Sequence, residues 1–209
     1  MNTRLVEIFT DEELAKKIQR KLPVLFHLAE LEASRAGRVD MEVGSIREQI
    51  LIALLVYKFG EENVDTNISI TKREIDVKLF GKPISIKTIT GFRGIKLVWT
   101  VDPEKVKQFV RKYRPKYDLL LAQVKWGAAG GLFLFPVEVQ RDIFDELGRD
   151  AYIKTPKPGT NPRGVEISSE ALKKLMQDSR TRKIEIEWQR PSIQRIEPYR
   201  RWVHYWEKD

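Results

Sequence analysis

Apolar residues recur along this chain with a helical period in its first third and a two-residue period through its middle. Thr10-Asp11-Glu12-Glu13 reads as a capping box that opens a helix running towards Lys21. A second helix is predicted from Pro23 to Gly37, with Leu25, Leu28 and Leu31 as its apolar stripe. Ser45-Ile46-Arg47-Glu48 is another capping box, and Leu51, Leu54, Leu55 and Phe59 behind it mark a strongly apolar helix that Gly60 ends. Strands are predicted over 64–70, 73–80, 83–88 and 96–100, then a helix from Asp102-Pro103 to about Tyr113. Strands 117–126 and 132–137 flank Gly127-Ala128-Ala129-Gly130-Gly131, and a short helix with Phe144 and Leu147 stops at Gly148. Residues 149–164, with three prolines and two glycines, read as a long basic loop. Ser168 caps a helix to about Gln177, and 183–188 has the pattern of an edge strand. Helices followed by a mixed sheet with further helices predict an α/β layer fold. The expectation is one domain over 1–209, with a helical part to about 60, a sheet over about 64–137 and an extension over about 149–209.

The hairpin is the most informative stretch. In Glu74-Ile75-Asp76-Val77-Lys78-Leu79-Phe80 the apolar residues fall on one side and Glu74, Asp76 and Lys78 on the other. Ile84 and Ile86 repeat that alternation after Gly81-Lys82. A turn centred on Gly81-Lys82 pairs residue 79 with 84, 77 with 86 and 76 with 87. Asp76 and Lys87 then become direct cross-strand neighbours, with Cβ atoms roughly 4.5–5.5 Å apart.

Composition narrows the chemistry. A formal charge of +8 and a pI of about 9.6 favour an anionic partner, of which nucleic acid is the commonest. Without cysteine, disulfides, thiolate catalysis and cysteine-bound zinc are excluded. Only His27 and His204 are present, far apart in sequence, so any metal must be a hard, oxygen-ligated ion such as magnesium. The longest apolar run, from Ile50 to Tyr57, falls well short of the roughly 18 residues a membrane span needs. No secretory signal pattern opens the chain, and a cytoplasmic protein is expected.

Magnesium-dependent phosphodiester hydrolysis needs carboxylate oxygens on the ion, a group that orients the attacking water, and positive charge near the phosphate. Asp76 with Lys87 supplies part of this set, but the acid expected two residues before the lysine is replaced by Ser85. Glu48 is the best substitute, because its apolar helix must pack on the adjacent sheet. Glu48 also fits a plain reading as the reciprocal member of its capping box, and Asp76–Lys87 one as a surface ion pair worth under about 1 kcal/mol. A literal Asp-x-Lys at Asp76-Val77-Lys78, with Asp65 as upstream acid, is a further alternative. Arg38, Arg47, Lys72 and Arg73 are basic residues near the proposed site in sequence. Gly91-Phe92-Arg93-Gly94 is a compact loop in which Arg93 can reach a phosphate or a guanine edge. The tail from Arg195 to Trp206 is rich in aromatic residues and carries no site assignment.

The order Glu48 on a helix, Asp76 in the hairpin, then Ser85-Ile86-Lys87 resembles the PD-(D/E)xK nuclease superfamily in a degenerate form. The run Met41-Glu42-Val43-Gly44-Ser45-Ile46-Arg47-Glu48 and the chain length look like the ThaI family of type II restriction endonucleases. Two departures stand out: no Pro-Asp dipeptide precedes the hairpin, and Ser85 replaces the usual acid. The resemblance implies a restriction-endonuclease-like core, a mixed central β-sheet flanked by helices. It implies that Glu48 and Asp76 hold Mg2+, that the Ile86 carbonyl adds a ligand, and that Lys87 positions the attacking water. It also implies a homodimer acting on double-stranded DNA at the palindrome CGCG with blunt ends, in a system with a cognate DNA methyltransferase. Met41 takes the family position linked to intercalation, where a thioether wedges between base pairs; its plain reading is a staple against the helix start. Arg38, Arg47 and Arg93 complete the expected DNA-contacting set. A basic DNA-binding module without catalysis and a structure-selective nuclease of the same superfamily are the rival readings.

Overall fold

The computed structural model describes residues 3–35, 41–68, 74–98, 102–156 and 164–192. Arg38, Lys72, Arg73 and the aromatic tail lie outside the described residues, as does the side chain of Met41.

Helix α1 (Thr3–Thr10), which the sequence pattern does not announce, buries Leu5 and Ile8. Helix α2 runs unbroken from Glu12 to Arg35 with Pro23 inside it. Its cap is Asp11, whose Oδ1 accepts the Leu14 amide at 3.0 Å, rather than Thr10. A proline in a helix interior costs about 3 kcal/mol. Here it is offset because the buried stripe Leu14, Ile18, Leu22, Phe26, Ala29, Ala33 continues on both sides, each large apolar side chain contributing about 1.5–3 kcal/mol. That stripe is displaced from the expected one, and Leu25 is exposed.

Helix α3 (Met41–Phe59) begins one turn earlier than its apparent capping box. Ser45 therefore lies inside the helix, and Glu48 is free of any N-terminal capping duty. The strands that follow are β1 (Val64–Asp65), β2 (Val77–Leu79), β3 (Lys82–Thr90) and β4 (Ile95–Val98). Helix α4 (Pro103–Lys112) starts as predicted, with Asp102 Oδ1 accepting the amides of Glu104 and Lys105. Strands β5 (Asp118–Val124) and β6 (Ala129–Phe135) and helix α5 (Val137–Leu147) come next. The first part of the expected 149–164 loop is regular, as helix α6 (Arg149–Tyr152) and strand β7 (Ile153–Lys154), and strand β8 (Val165–Ile167) follows directly after it. Helix α7 (Ser169–Gln177), capped by the Ser168 hydroxyl, and strand β9 (Arg182–Glu187) complete the described chain.

Strand β6 takes in Gly130 and Gly131, which the sequence reading assigned to a turn. A Cβ on Gly130 would sit 2.4 Å from the Gln123 carbonyl oxygen and 2.6 Å from Trp188 Nε1. Glycine there permits close approach of backbone to neighbour rather than a reversal.

The main sheet has the order β1-β2-β3-β5-β6-β9, with β3 and β5 parallel and the other pairs antiparallel. Its central strands are buried on both faces, and alternation assigns their side chains to two cores. Ile84, Ile86, Leu120, Ala122, Leu132 and Leu134 pack with α1, α2 and α3. Leu119, Leu121, Phe133 and Phe135 pack with α5, α7 and a small antiparallel sheet β4-β8-β7. The result is the expected mixed α/β architecture, a six-stranded sheet between helical layers. Among the described residues no helix is long and apolar enough to cross a membrane.

Candidate active site

The β2–β3 turn lies one residue earlier in the chain than the sequence suggests. Phe80 and Gly81 both have positive φ (49° and 73°), the signature of a two-residue type I′ turn. The Phe80 ring packs edge-on to Phe59 at 5.8 Å with Arg4 above it at 5.4 Å, which holds a bulky residue in a conformation it otherwise avoids. The register is therefore Val77 with Ile84, Lys78 with Pro83 and Leu79 with Lys82. Continued by one residue, it brings Asp76 level with Ser85 rather than Lys87. A shift of two residues keeps every side chain on its face, so Asp76 and Lys87 still meet, as diagonal neighbours.

The pairing between β2 and β3 stops at this point. Ile84 O accepts the Asp76 amide at 3.0 Å, and beyond it, among the described residues, the Ile86 N–H and C=O have no strand partner on that edge. Side chains replace the missing strand. Asp76 Oδ2 accepts the Ile86 amide at 2.6 Å and the Ser85 hydroxyl at 3.2 Å. Lys87 Nζ donates to the Ile86 carbonyl at 2.8 Å and to Asp76 at 2.9 and 3.1 Å. Ser85, which stands where an acid was expected, thus helps orient the acid across from it.

Glu48 arrives from α3, with Oε1 3.9 Å from Lys87 Nζ. Burial pushes its carboxyl up to about 7; Lys87 acts against that shift and the Asp76 carboxylate adds to it. The three side chains are 17–29% exposed, shielded enough for strong electrostatics yet open to water. A narrow groove lined by Glu74, Ser85, Lys87, Tyr113, Lys116 and Tyr117 runs alongside.

Four oxygens, from Asp76, Ile86 and Glu48, surround one point, and a cation already stands there: the Lys87 ammonium. This donor set of two carboxylates and a carbonyl suits a hard divalent ion. Among the described residues no three histidine or carboxylate side chains gather to hold a metal, so here the Ile86 carbonyl has to complete the set. At the alternative Asp-x-Lys, Lys78 bonds Asp65 at 2.7 Å directly across β1 and β2, a partly exposed ion pair.

Of the expected DNA contacts, Arg93 is exposed in the turn after β3. Its neighbour Phe92 is exposed too, with Lys125 above the ring at 4.5 Å. Arg38 and the Met41 side chain lie outside the described residues. Arg47 does not fit the expectation. Only 5% exposed, it bonds the Glu30 carboxylate and, at 3.1 Å, Thr90 Oγ1. Its place in the sequence beside Glu48 suggested a surface charge; the helical period turns it inward instead. Glu30, Thr90 and Trp126 carry no motif that sequence reading could have used.

Fold and site together define a class, the type II site-specific nucleases. The family model for restriction endonuclease ThaI matches residues 8–208, and the chain belongs to that family. A solved structure described as a restriction endonuclease in complex with substrate DNA shares 54% identity with it, at a TM-score of 0.89. That similarity covers 99% of this chain and 100% of the other. No curated protein matches.

Proposed function

We propose that this chain is a Mg2+-dependent restriction endonuclease that hydrolyses double-stranded DNA at CGCG, leaving blunt ends, with Glu48, Asp76 and Lys87 as the reacting set. The observation that carries this reading is the convergence of Asp76, Ile86 O and Glu48 on the Lys87 ammonium. Glu48, Asp76 and the Ile86 carbonyl would hold the ion. When bound, it supplies Lewis-acid charge against the phosphate under attack.

The chain's own groups do the rest. Asp76 is pre-oriented by the Ile86 amide and the Ser85 hydroxyl, so its geometry needs no reorganisation. Lys87, on a strand buried on both sides, orients the attacking water and offsets charge building on the phosphate. Glu48, whose carboxyl burial raises to about 7, would be held in its charged form by a cation at this site.

The +8 charge supports binding to DNA, and the similar protein of known structure is described as bound to its substrate DNA. Arg93 and Arg38 are proposed phosphate or base contacts, and Met41 a wedge between base pairs. Arg47 is not among them. A homodimer places one site on each strand of a palindrome. The setting is a cytoplasmic restriction–modification system with a cognate methyltransferase.

Incubation with Mg2+ and linear DNA containing a single CGCG tests this. Two blunt-ended products are expected, and none from DNA lacking the sequence. Binding without cleavage, or cutting of branched DNA alone, would replace the proposal with one of its rivals.

A further inference from the structure

Arg47 and Glu48 are consecutive on α3, yet they engage different partners. Glu48 approaches Lys87, while Arg47 Nη1 donates to Thr90 Oγ1 at 3.1 Å, at the last residue of the same strand. Arg47 Nη2 donates to the Glu30 carboxylate on α2, and the guanidinium lies 5.5 Å from the centre of the Phe26 ring. Glu30 is itself held from further directions. Its Oε1 accepts the Trp126 indole N–H at 2.6 Å, and its Oε2 accepts Arg190 Nη2 at 3.2 Å. Arg190 stacks over Trp126 at 4.9 Å.

An ion pair with one partner buried and the other partly so adds little net stability over an apolar replacement, since desolvation consumes much of its attraction. What it can set is register. Helix α3 has particular need of that: Ile46, Ile50, Leu51, Ile52, Leu54, Leu55 and Val56 make it apolar nearly all round. Such a helix has no strong amphipathic preference for one rotation against the sheet. A slip of one residue turns it by about 100° and moves it about 1.5 Å. Either change would carry Glu48 away from Asp76 and the Ile86 carbonyl.

We infer that Arg47 and Glu30 are positioning residues of the nuclease site, a partly buried clasp that fixes the rotation of α3 on β3 and so delivers Glu48 to the oxygens proposed to bind the cation. The inference rests on the proposed role of Glu48.

Calorimetric titration of the DNA-free protein with Ca2+ tests it without relying on cleavage, using the wild type, Glu48→Gln, Arg47→Met, Arg47→Lys and Glu30→Gln. Supporting residues of this kind are worth about 10–100-fold in cation affinity. Arg47→Met and Glu30→Gln are each expected to weaken Ca2+ binding by about that factor, with Arg47→Lys recovering part of the loss. In cleavage assays Arg47→Met lowers kcat with little change in KM for DNA, whereas a lost DNA contact would raise KM. If Glu48→Gln binds Ca2+ poorly while Arg47→Met and Glu30→Gln match the wild type, the clasp is refuted and the site stands. If Glu48→Gln itself binds like the wild type, the reading of the site fails and takes the clasp with it. Should Arg47→Met not fold, Thr90→Val, which removes one hydrogen bond and keeps the shape, decides. Weaker Ca2+ binding supports the clasp, and unchanged binding overturns it.

Discussion

At the scale of single residues, Lys87 has two positions to serve. Without a divalent ion its ammonium neutralises the carboxylate of Asp76 and caps the Ile86 carbonyl. Those same oxygens are the ones proposed to bind the ion, so lysine and cation compete for them. Unit charges within about 4 Å interact by a few kcal/mol at the effective dielectric of a protein surface. Lys87→Met should therefore abolish cleavage and yet bind Ca2+ about tenfold or more tightly than the wild type. Unchanged or weaker binding, read by calorimetry, would contradict the competition.

Glu48 makes a separate prediction. Its carboxyl is raised to about 7 in the folded protein, against 4.5 without the fold. Between those values the folded state holds more protons than the unfolded one, so this group lowers stability as pH rises from about 4.5 to about 7. Above that window the penalty is constant. In the chelator-treated protein the melting temperature of the wild type should fall relative to Glu48→Gln across that interval. Parallel curves for the two proteins would rule out the raised carboxyl.

At the scale of elements, helix α3 shows what a sequence can mislead about. Ser45-x-x-Glu48 has the spacing of a capping box, and nothing local contradicts it. The helix nevertheless begins at Met41, which puts Gly44 and Ser45 in its interior. Among the described residues nothing lies within 4 Å of where a Cβ on Gly44 would stand, so Gly44→Ala should stabilise the protein by about 0.5–1 kcal/mol. If the helix started at Ser45, the same substitution would bring no such gain in thermal or urea denaturation.

The hairpin was legible in composition but not in register. Gly81-Lys82 looked like the turn, and the true pair, Phe80-Gly81, includes a residue that avoids positive φ unless tertiary contacts hold it. The two-residue error changed which residues face each other and left their side of the sheet intact, which is why Asp76 and Lys87 were still found. Alternation and end signals revealed most strands and the α4 and α7 caps. The unbroken α2 across Pro23, and glycines inside β6, depend on packing partners distant in sequence.

At the scale of the molecule, the three-layer arrangement explains how so sparse a motif makes a site. Asp76 and Lys87 come from the edge where β2 leaves β3, and Glu48 comes from a helix in the layer above. Only the fold brings Glu48, nearly thirty residues before Asp76, to the side of Lys87, where it is proposed to stand in for the acid missing at Ser85. The Arg47–Glu30–Thr90 contacts lay beyond any sequence reading, because each is an ordinary residue made informative by its neighbours.

The most direct measurement is single-turnover cleavage of a duplex containing CGCG by the wild type and Glu48→Gln in saturating Mg2+, with DNA affinity measured alongside in Ca2+. Losing one of the two carboxylates proposed to hold the ion should remove several kcal/mol of transition-state stabilisation, at 1.36 kcal/mol per factor of ten. The rate should fall by about a thousandfold or more while binding to the duplex is retained. Cleavage by Glu48→Gln at the wild-type rate would contradict the account at its centre.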